Sequence, residues 1–424
     1  MENSSISLWD SSAQEHAPES CFLAESSVDV AVVGGGYTGL STALHCAEQG
    51  LNVQLVEAQQ IGYGGSGRNC GLVNAALWLP PQVVRKRLGQ DYGPRFIERF
   101  AKGPEYVFDL IEKHQIRCEK RHTGTVHAAH SQRGLKDLQG RATEWQRLNE
   151  PVELLNRQQV SDMVGTDAYC GGLLDHRAGT INPMAYCRGL ARAAHGAGAT
   201  IGIGVRANRL EKEAGKWRLF TNQGSLLAQH VVLGTNAYTD GLWPGLDRIF
   251  TIVNYFQLAT KPLDDDAGYI LPGGQGLWDT NPIMFNFRRD AFNRLLVGSM
   301  GKVQGTVDSG LSRRWAIKRI KRLFPSLPEV EFDHAWDGQI AMTPDHLPRI
   351  MEMEKNLFTA IGYNGRGITT GTLFGKALAQ LVRGTHKSEL PLPMTESKPA
   401  FAAPLFKNLY QFVFTGNQFI KSVY

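Results

Sequence analysis

The residues best suited to chemistry are glycines. Residues 34–39, Gly-Gly-Gly-Tyr-Thr-Gly, hold a G-x-G-x-x-G spacing directly after the β-branched run at residues 28–33. Gly34 permits a tight turn, Gly36 lets the backbone approach a pyrophosphate, and Gly39 lets a helix pack closely on a strand. Tyr37 and Thr38 sit in the first turn of that helix, where free N–H groups and the dipole favour a bound phosphate. A second short strand at residues 53–56 ends in Glu57, followed by Ala58. A carboxylate at this place accepts from ribose hydroxyls and repels a 2′-phosphate, which favours FAD or NAD over NADP.

The next segment, residues 61–71, contains five glycines and one cation. Gly65, Ser66, Gly67, Arg68, Asn69 and Gly71, with Leu72 beyond, can lay backbone amides and a guanidinium against a pyrophosphate or a flavin edge. A second strand-to-glycine-to-helix junction follows the apolar run at residues 357–361. There Gly365, Arg366, Gly367, Ile368 and Thr369 open a helix whose N-terminus can stabilise negative charge developing on a flavin. Val205 and Thr235, each at the end of a strand, complete the expected cofactor contacts.

The elements that must position these residues alternate in type. Strands are expected at residues 28–33, 53–56, 200–205, 231–234 and 357–361, with helices at 40–50, 184–198 and 368–381. Residues 95–115 and 135–148 read as amphipathic helices flanking a strand at 123–129. Residues 250–340 alternate like an antiparallel sheet. The expected division is a discontinuous cofactor domain (1–90, 160–240 and 341–385), a substrate domain (91–159 and 241–340), and a Pro-rich linker with an amphipathic tail (386–424).

Composition narrows the function classes. The chain has 424 residues, 42% hydrophobic, with 45 Lys and Arg against 40 Asp and Glu. A balance of +5 without long basic blocks argues against a nucleic-acid binder. Six cysteines without a C-x-x-C pair give neither a zinc ribbon nor a reductase motif, and suit a reducing cytoplasm. Residues 1–27 lack the apolar core of a secretory signal, and no run is long enough for a membrane span. His122, His127 and His130 have no nearby ligand to complete a metal shell, so no metal is expected. Trp278 and Trp336 are expected as core packing.

The strings Val-Val-Gly-Gly-Gly-Tyr-Thr-Gly-Leu-Ser (32–41), Ile-Gly-Tyr-Gly-Gly-Ser-Gly-Arg-Asn (61–69), Leu-Leu-Asp-His (173–176), Arg-Leu-Leu-Val-Gly (294–298) and Gly-Tyr-Asn-Gly-Arg-Gly-Ile-Thr (362–369) resemble the D-amino-acid-oxidase superfamily. Within it the chain is most similar to the γ-glutamylputrescine oxidases and relatives acting on secondary amino acids. The resemblance implies an α/β protein with a Rossmann-like FAD-binding domain and an α+β substrate domain on a large mixed, mostly antiparallel sheet. It also implies oxidation of a C–N bond to an imine that water hydrolyses. Some relatives tether the flavin through a His where Arg68 stands, or through a Cys in the segment 339–342. Neither nucleophile is present, so FAD is expected to be noncovalent.

Expected substrate contacts are Tyr255, Arg288 and Arg366. Thr369 stands where sarcosine-oxidase-like relatives place a Lys, and Arg366 where the γ-glutamylputrescine group tends to carry His. With Arg288 and Arg289 nearby, the expected substrate is a carboxylate-bearing secondary amine, such as an N-substituted glycine, iminodiacetate or pipecolate. The alternatives are γ-glutamylputrescine oxidation and a flavin subunit of a heteromeric amine dehydrogenase. The expected acceptor is O₂ or a quinone. The tail, with Leu405, Phe406, Leu409, Phe412, Val413 and Phe419, has two readings. It lies on a membrane surface as a peripheral contact, or it packs back on the flavin domain, the reading preferred here.

Overall fold

The computed structural model describes residues 7–75, 78–396 and 403–423. Two eight-stranded sheets organise it. The first runs in the order Arg349–Glu354, Leu357–Ile361, Gly224–Leu233, Ser26–Val33, Val53–Glu57, Thr200–Ile203, with the strands Ala207–Glu213 and Lys216–Thr221 added as an antiparallel extension. Its central strands are parallel, in register at Val30 with Val53 and at Val231 with Leu357. The helices Tyr37–Ala47, Pro183–Gly196 and Gly367–Val382 cover it. Burial on both sides explains why these strands are continuous apolar runs. Val30, Val32, Leu40, Leu55, Leu190 and Leu378 share one core, each at 0% exposure.

The second sheet runs Phe332–Met342, Thr251–Pro262, Arg294–Met300, Phe285–Arg289, Gly276–Asp279, Thr125–Ala128, Gly172–Asp175, Val152–Leu155. All its pairs are antiparallel except Gly276–Asp279 with Thr125–Ala128. Its own core joins Phe256, Phe285, Phe287 and Val297 to Trp315 of the helix Leu311–Leu323.

Three expectations change. The helix expected over residues 95–115 divides into Pro81–Ala101, itself broken at Gly89 (φ +73°), and Gly103–Lys113, because Pro104 cannot donate the N–H that a continuous helix needs. The division of the chain shifts as well. Helix Gly103–Lys113 packs on Gly367–Val382 beside the first sheet, whereas Gly172–Asp175 belongs to the second.

The tail changes most. Helix Ala403–Val423 packs on Leu311–Leu323 and Thr251–Pro262, on the second sheet's side of the molecule and not on the flavin-side helices. It buries Phe414, Gln418 and Ser422, and it leaves Leu405, Phe406, Leu409, Phe412, Val413 and Phe419 exposed. Gln418 fixes it, accepting from Ser312 Oγ at 3.1 Å and donating to the Lys302 carbonyl at 3.1 Å. No helix among the described residues is long and apolar enough to cross a membrane.

Candidate active site

A cavity of about 830 Å³ runs between the two sheets. One end is walled by Gly34, Gly36, Tyr37, Thr38, Glu57, Ala58, Val205 and Thr235. Gly34 sits at φ +107°, which lets the chain turn out of the strand. A Cβ on Gly39 would overlap the Gly34 carbonyl oxygen, so the helix meets the strand only because Gly39 has no side chain. Gly36 is the N-cap and offers no side-chain acceptor, and no acidic residue occupies the first turn. The Glu57 carboxylate accepts from the Gly35 amide at 2.7 Å and the Gln59 amide at 2.8 Å. Burial pushes its pKa up against those hydrogen bonds.

The loop at residues 61–71 forms the middle of the wall through Gly65, Ser66, Asn69 and Cys70. Its outer side is held by donors from distant elements. The carbonyl of Gly67 accepts from Ser7 Oγ at 3.2 Å, that of Arg68 from Trp336 Nε1 at 2.7 Å, and that of Asn69 from Trp9 Nε1 at 2.8 Å. Arg288 Nη1 donates to the carbonyls of Gly71 at 3.2 Å and Ile181 at 2.7 Å. Sequence reasoning missed Ser7 and Trp9. The available signal was the adjacent apolar pair Leu8 and Trp9 in a largely polar stretch; both are fully buried.

Arg288 is therefore placed differently from the expectation. Its side chain is 1% exposed, lies behind the loop with Trp9 stacked against it, and is not part of the cavity wall. Burial lowers its pKa to about 10. Arg68 is also turned from the cavity, donating to the carbonyls of Tyr63 at 2.8 Å and Asp337 at 3.3 Å. Gly67, Gly71, Leu72, Ile368 and Thr369 lie outside the wall too, and the Thr369 hydroxyl donates to the Asn74 carbonyl at 2.8 Å. Arg289 donates to the carbonyl of Ile270 at 3.0 Å.

Tyr255 and the second junction do reach the cavity. Tyr255, Gly365 and Gly367 line it, and Tyr255 lies with its hydroxyl 3.5 Å from the Gly65 carbonyl oxygen. Burial raises the Tyr255 pKa, so this phenol stays protonated. Arg366 is the N-cap of Gly367–Val382 and stacks between two indoles, its guanidinium carbon 4.0 Å from the Trp78 centroid and 4.6 Å from that of Trp278. Trp278 in turn stacks on His127 at 4.9 Å. No carboxylate pairs with Arg366 among the described residues, its Nε has no acceptor, and burial lowers its pKa to about 10. Trp278 and Trp336 are thus buried as expected of core residues, yet each also serves the site.

Several wall residues were not foreseen. Arg141 and Asp137 pair at 2.7 Å one turn apart on the helix Gln132–Arg147, and Arg141 also donates to the Trp78 carbonyl. Gln257 is buried, donates to Asn286 Oδ1 at 3.2 Å, and has an Oε1 without a donor. Asp279 accepts from the amides of Asn281 and Phe285. His127 lines the cavity, and burial with Arg141 and Arg366 nearby holds it well below the usual imidazole range, so it is neutral. These positions carry no motif, and only the sheet register gathers them. His122 and His130 are engaged elsewhere, with the Arg177 carbonyl and the Thr280 hydroxyl.

The residues present fit FAD. An uncapped helix start, the Glu57 carboxylate at the end of its strand, a glycine loop and a second helix start line one continuous cavity of about 830 Å³. No His or Cys stands at the two tether positions, where Arg68 and residues 339–342 are found.

Comparison with known proteins agrees. A model described as FAD dependent oxidoreductase, the DAO family, matches residues 29–381. The γ-glutamylputrescine oxidoreductase of Escherichia coli (strain K12) is 32% identical over 381 residues, covering 89% of each chain. The glycine oxidase of Geobacillus kaustophilus is 24% identical over 376 residues, covering 84% of this chain and 92% of that one. Its crystal structure superposes with a TM-score of 0.71, covering 87% of this chain and 99% of that chain. L-proline dehydrogenase from P. horikoshii gives 0.68 at 17% identity, covering 93% and 99%. With these matches and the geometry above, the chain belongs to the DAO family of FAD-dependent oxidoreductases, enzymes acting on amines and amino acids.

Proposed function

We propose that the protein oxidises the C–N bond of an amine that bears a carboxylate, with the secondary amino acids as the first reading: N-substituted glycines, iminodiacetate or pipecolate. Bound FAD supplies the electron acceptor for the substrate C–H bond, and the resulting imine is hydrolysed in water. The residues of this chain bind, orient and exclude solvent. The reading is carried by Arg366, a guanidinium stacked between Trp78 and Trp278, with no carboxylate partner among the described residues, beside the cavity that Gly365 and Gly367 line. A buried cation of this kind is stabilised by an anionic ligand. The planar stack fixes its fork for bidentate recognition. Tyr255, kept neutral, and Gln257, whose Oε1 has no donor, line the same cavity; the phenol can donate to a carboxylate and the amide oxygen can accept from a substrate N–H. The expected role of Arg288 is not part of this proposal, because its donors are used behind the loop.

A second reading has its own support. The 32% identical relative is a γ-glutamylputrescine oxidoreductase, and such a substrate carries its carboxylate far from the amine that reacts. Arg366→Ala separates the two. For secondary amino acids, loss of a charge-assisted contact of about 1.5–3 kcal/mol lowers kcat/KM roughly ten- to hundredfold. For γ-glutamylputrescine the distal amine should be spared. Unchanged kcat/KM on every carboxylate-bearing amine that the wild type turns over overturns the Arg366 assignment. We propose O₂ or a respiratory quinone as the final acceptor, at the cytoplasmic side.

A further inference from the structure

Helix Ala403–Val423 is amphipathic in the reverse sense. Side chains three or four positions apart share a helix face. The line that meets the protein is Phe414, Gln418 and Ser422, two of them polar, at 8%, 0% and 9% exposure. The opposite face presents Leu405, Leu409, Phe412, Val413 and Ile420, with Phe412 78% exposed. A helix on a globular surface ordinarily turns its apolar stripe to the core. An outward stripe of this size marks a surface that another apolar medium covers.

Charge selects the medium. The helix carries two cations near its ends, Lys407 and Lys421, on the line of Phe414 and both exposed, and it has no acidic residue. The helix packed beside it, Leu311–Leu323, carries Arg313, Arg314, Lys318, Arg319, Lys321 and Arg322 and no acid. Arg314, Lys321 and Arg322 are exposed and take part in no ion pair among the described residues. A second copy docking here across a two-fold axis would bring these like charges together, whereas an anionic lipid surface neutralises them and accepts the apolar side chains.

We infer that helices Ala403–Val423 and Leu311–Leu323 form a docking face for an anionic bilayer surface, with the outward apolar stripe in the acyl boundary and the basic residues among the headgroups. The inference stands apart from the choice of substrate. The helix that lies on lipid also supplies Tyr410 and Phe414 to the cavity wall, so docking brings the cavity to the membrane.

The test is co-sedimentation of the full-length flavin-loaded protein with phosphatidylglycerol-containing vesicles and with pure phosphatidylcholine vesicles, at low and high salt. Binding to the anionic vesicles should exceed that to the neutral ones by tenfold or more and weaken with salt. The triple variant Leu409→Ser, Phe412→Ser, Ile420→Ser should stay in the supernatant while its turnover in solution is unchanged. Arg314→Glu with Lys321→Glu should lose the anionic preference. A wild-type protein that sediments with neither vesicle overturns the inference. So does gel filtration showing a dimer that the triple variant splits, with no vesicle binding, which would give the face to a second copy.

Discussion

The βαβ unit at residues 26–57 and the glycine loop at residues 61–71 serve the same cavity through opposite constructions. The first is local. Gly34, Gly36, Gly39 and Glu57 lie within one strand-helix-strand passage, shaped by close backbone approach and by the Glu57 carboxylate accepting from the Gly35 amide. The loop takes its shape from elsewhere: Ser7 and Trp9 at the N-terminus, Arg288 in one sheet strand and Trp336 in another donate to its carbonyls. Backbone economy therefore leaves a recognisable spacing in the sequence, and side-chain support leaves none.

Substitutions can break that contrast. The largest effect is expected at Gly39→Ala, where the new methyl group overlaps the Gly34 carbonyl and the helix must leave the strand. The expected product is protein without flavin, read as the ratio of visible to protein absorbance after purification. Full flavin content would show that the local unit tolerates displacement.

Next comes Arg288→Met, which strands the buried Ile181 carbonyl and leaves that of Gly71 with the Ile181 amide alone. A loss of roughly 3 kcal/mol or more in denaturant unfolding is expected, together with weaker flavin retention. If stability held and only KM rose, Arg288 would be a substrate residue after all, and the contrast would fail. Trp9→Phe keeps most of the apolar volume and removes one donor from the Asn69 carbonyl, at about 1–3 kcal/mol. Faster flavin release in a dilution assay should accompany it. The smallest effect is expected at Ser7→Ala, about 0.5–1.5 kcal/mol, since one neutral hydrogen bond at 3.2 Å is lost.

The same contrast explains what the sequence disclosed. The strands at 28–33, 53–56, 231–234 and 357–361 were legible because burial on both faces writes them as apolar runs. The two glycine-to-helix junctions were legible because close backbone approach demands glycine. Tyr255 and Arg366 were reached through family resemblance, and both stand at or beside the cavity. Arg141, His127 and Gln257 were hidden, since only the pairing of distant strands and one helix brings them together. Arg288 misled for a physical reason. A cation in the right strand can point to a ligand or to a backbone, and only the fold decides which. The tail misled by its composition: Phe406, Phe412 and Phe419 face outward while Phe414, Gln418 and Ser422 face in.

The measurement that tests the central claim most directly is an anaerobic absorbance titration of the flavin-loaded protein with matched amines, L-pipecolate against piperidine, alongside sarcosine, iminodiacetate, L-proline and γ-glutamylputrescine. The account predicts loss of the visible flavin band with at least one carboxylate-bearing amine, and none with piperidine at the same concentration. Bleaching by piperidine as readily as by any carboxylate-bearing amine, or bleaching by none of the panel, would contradict it.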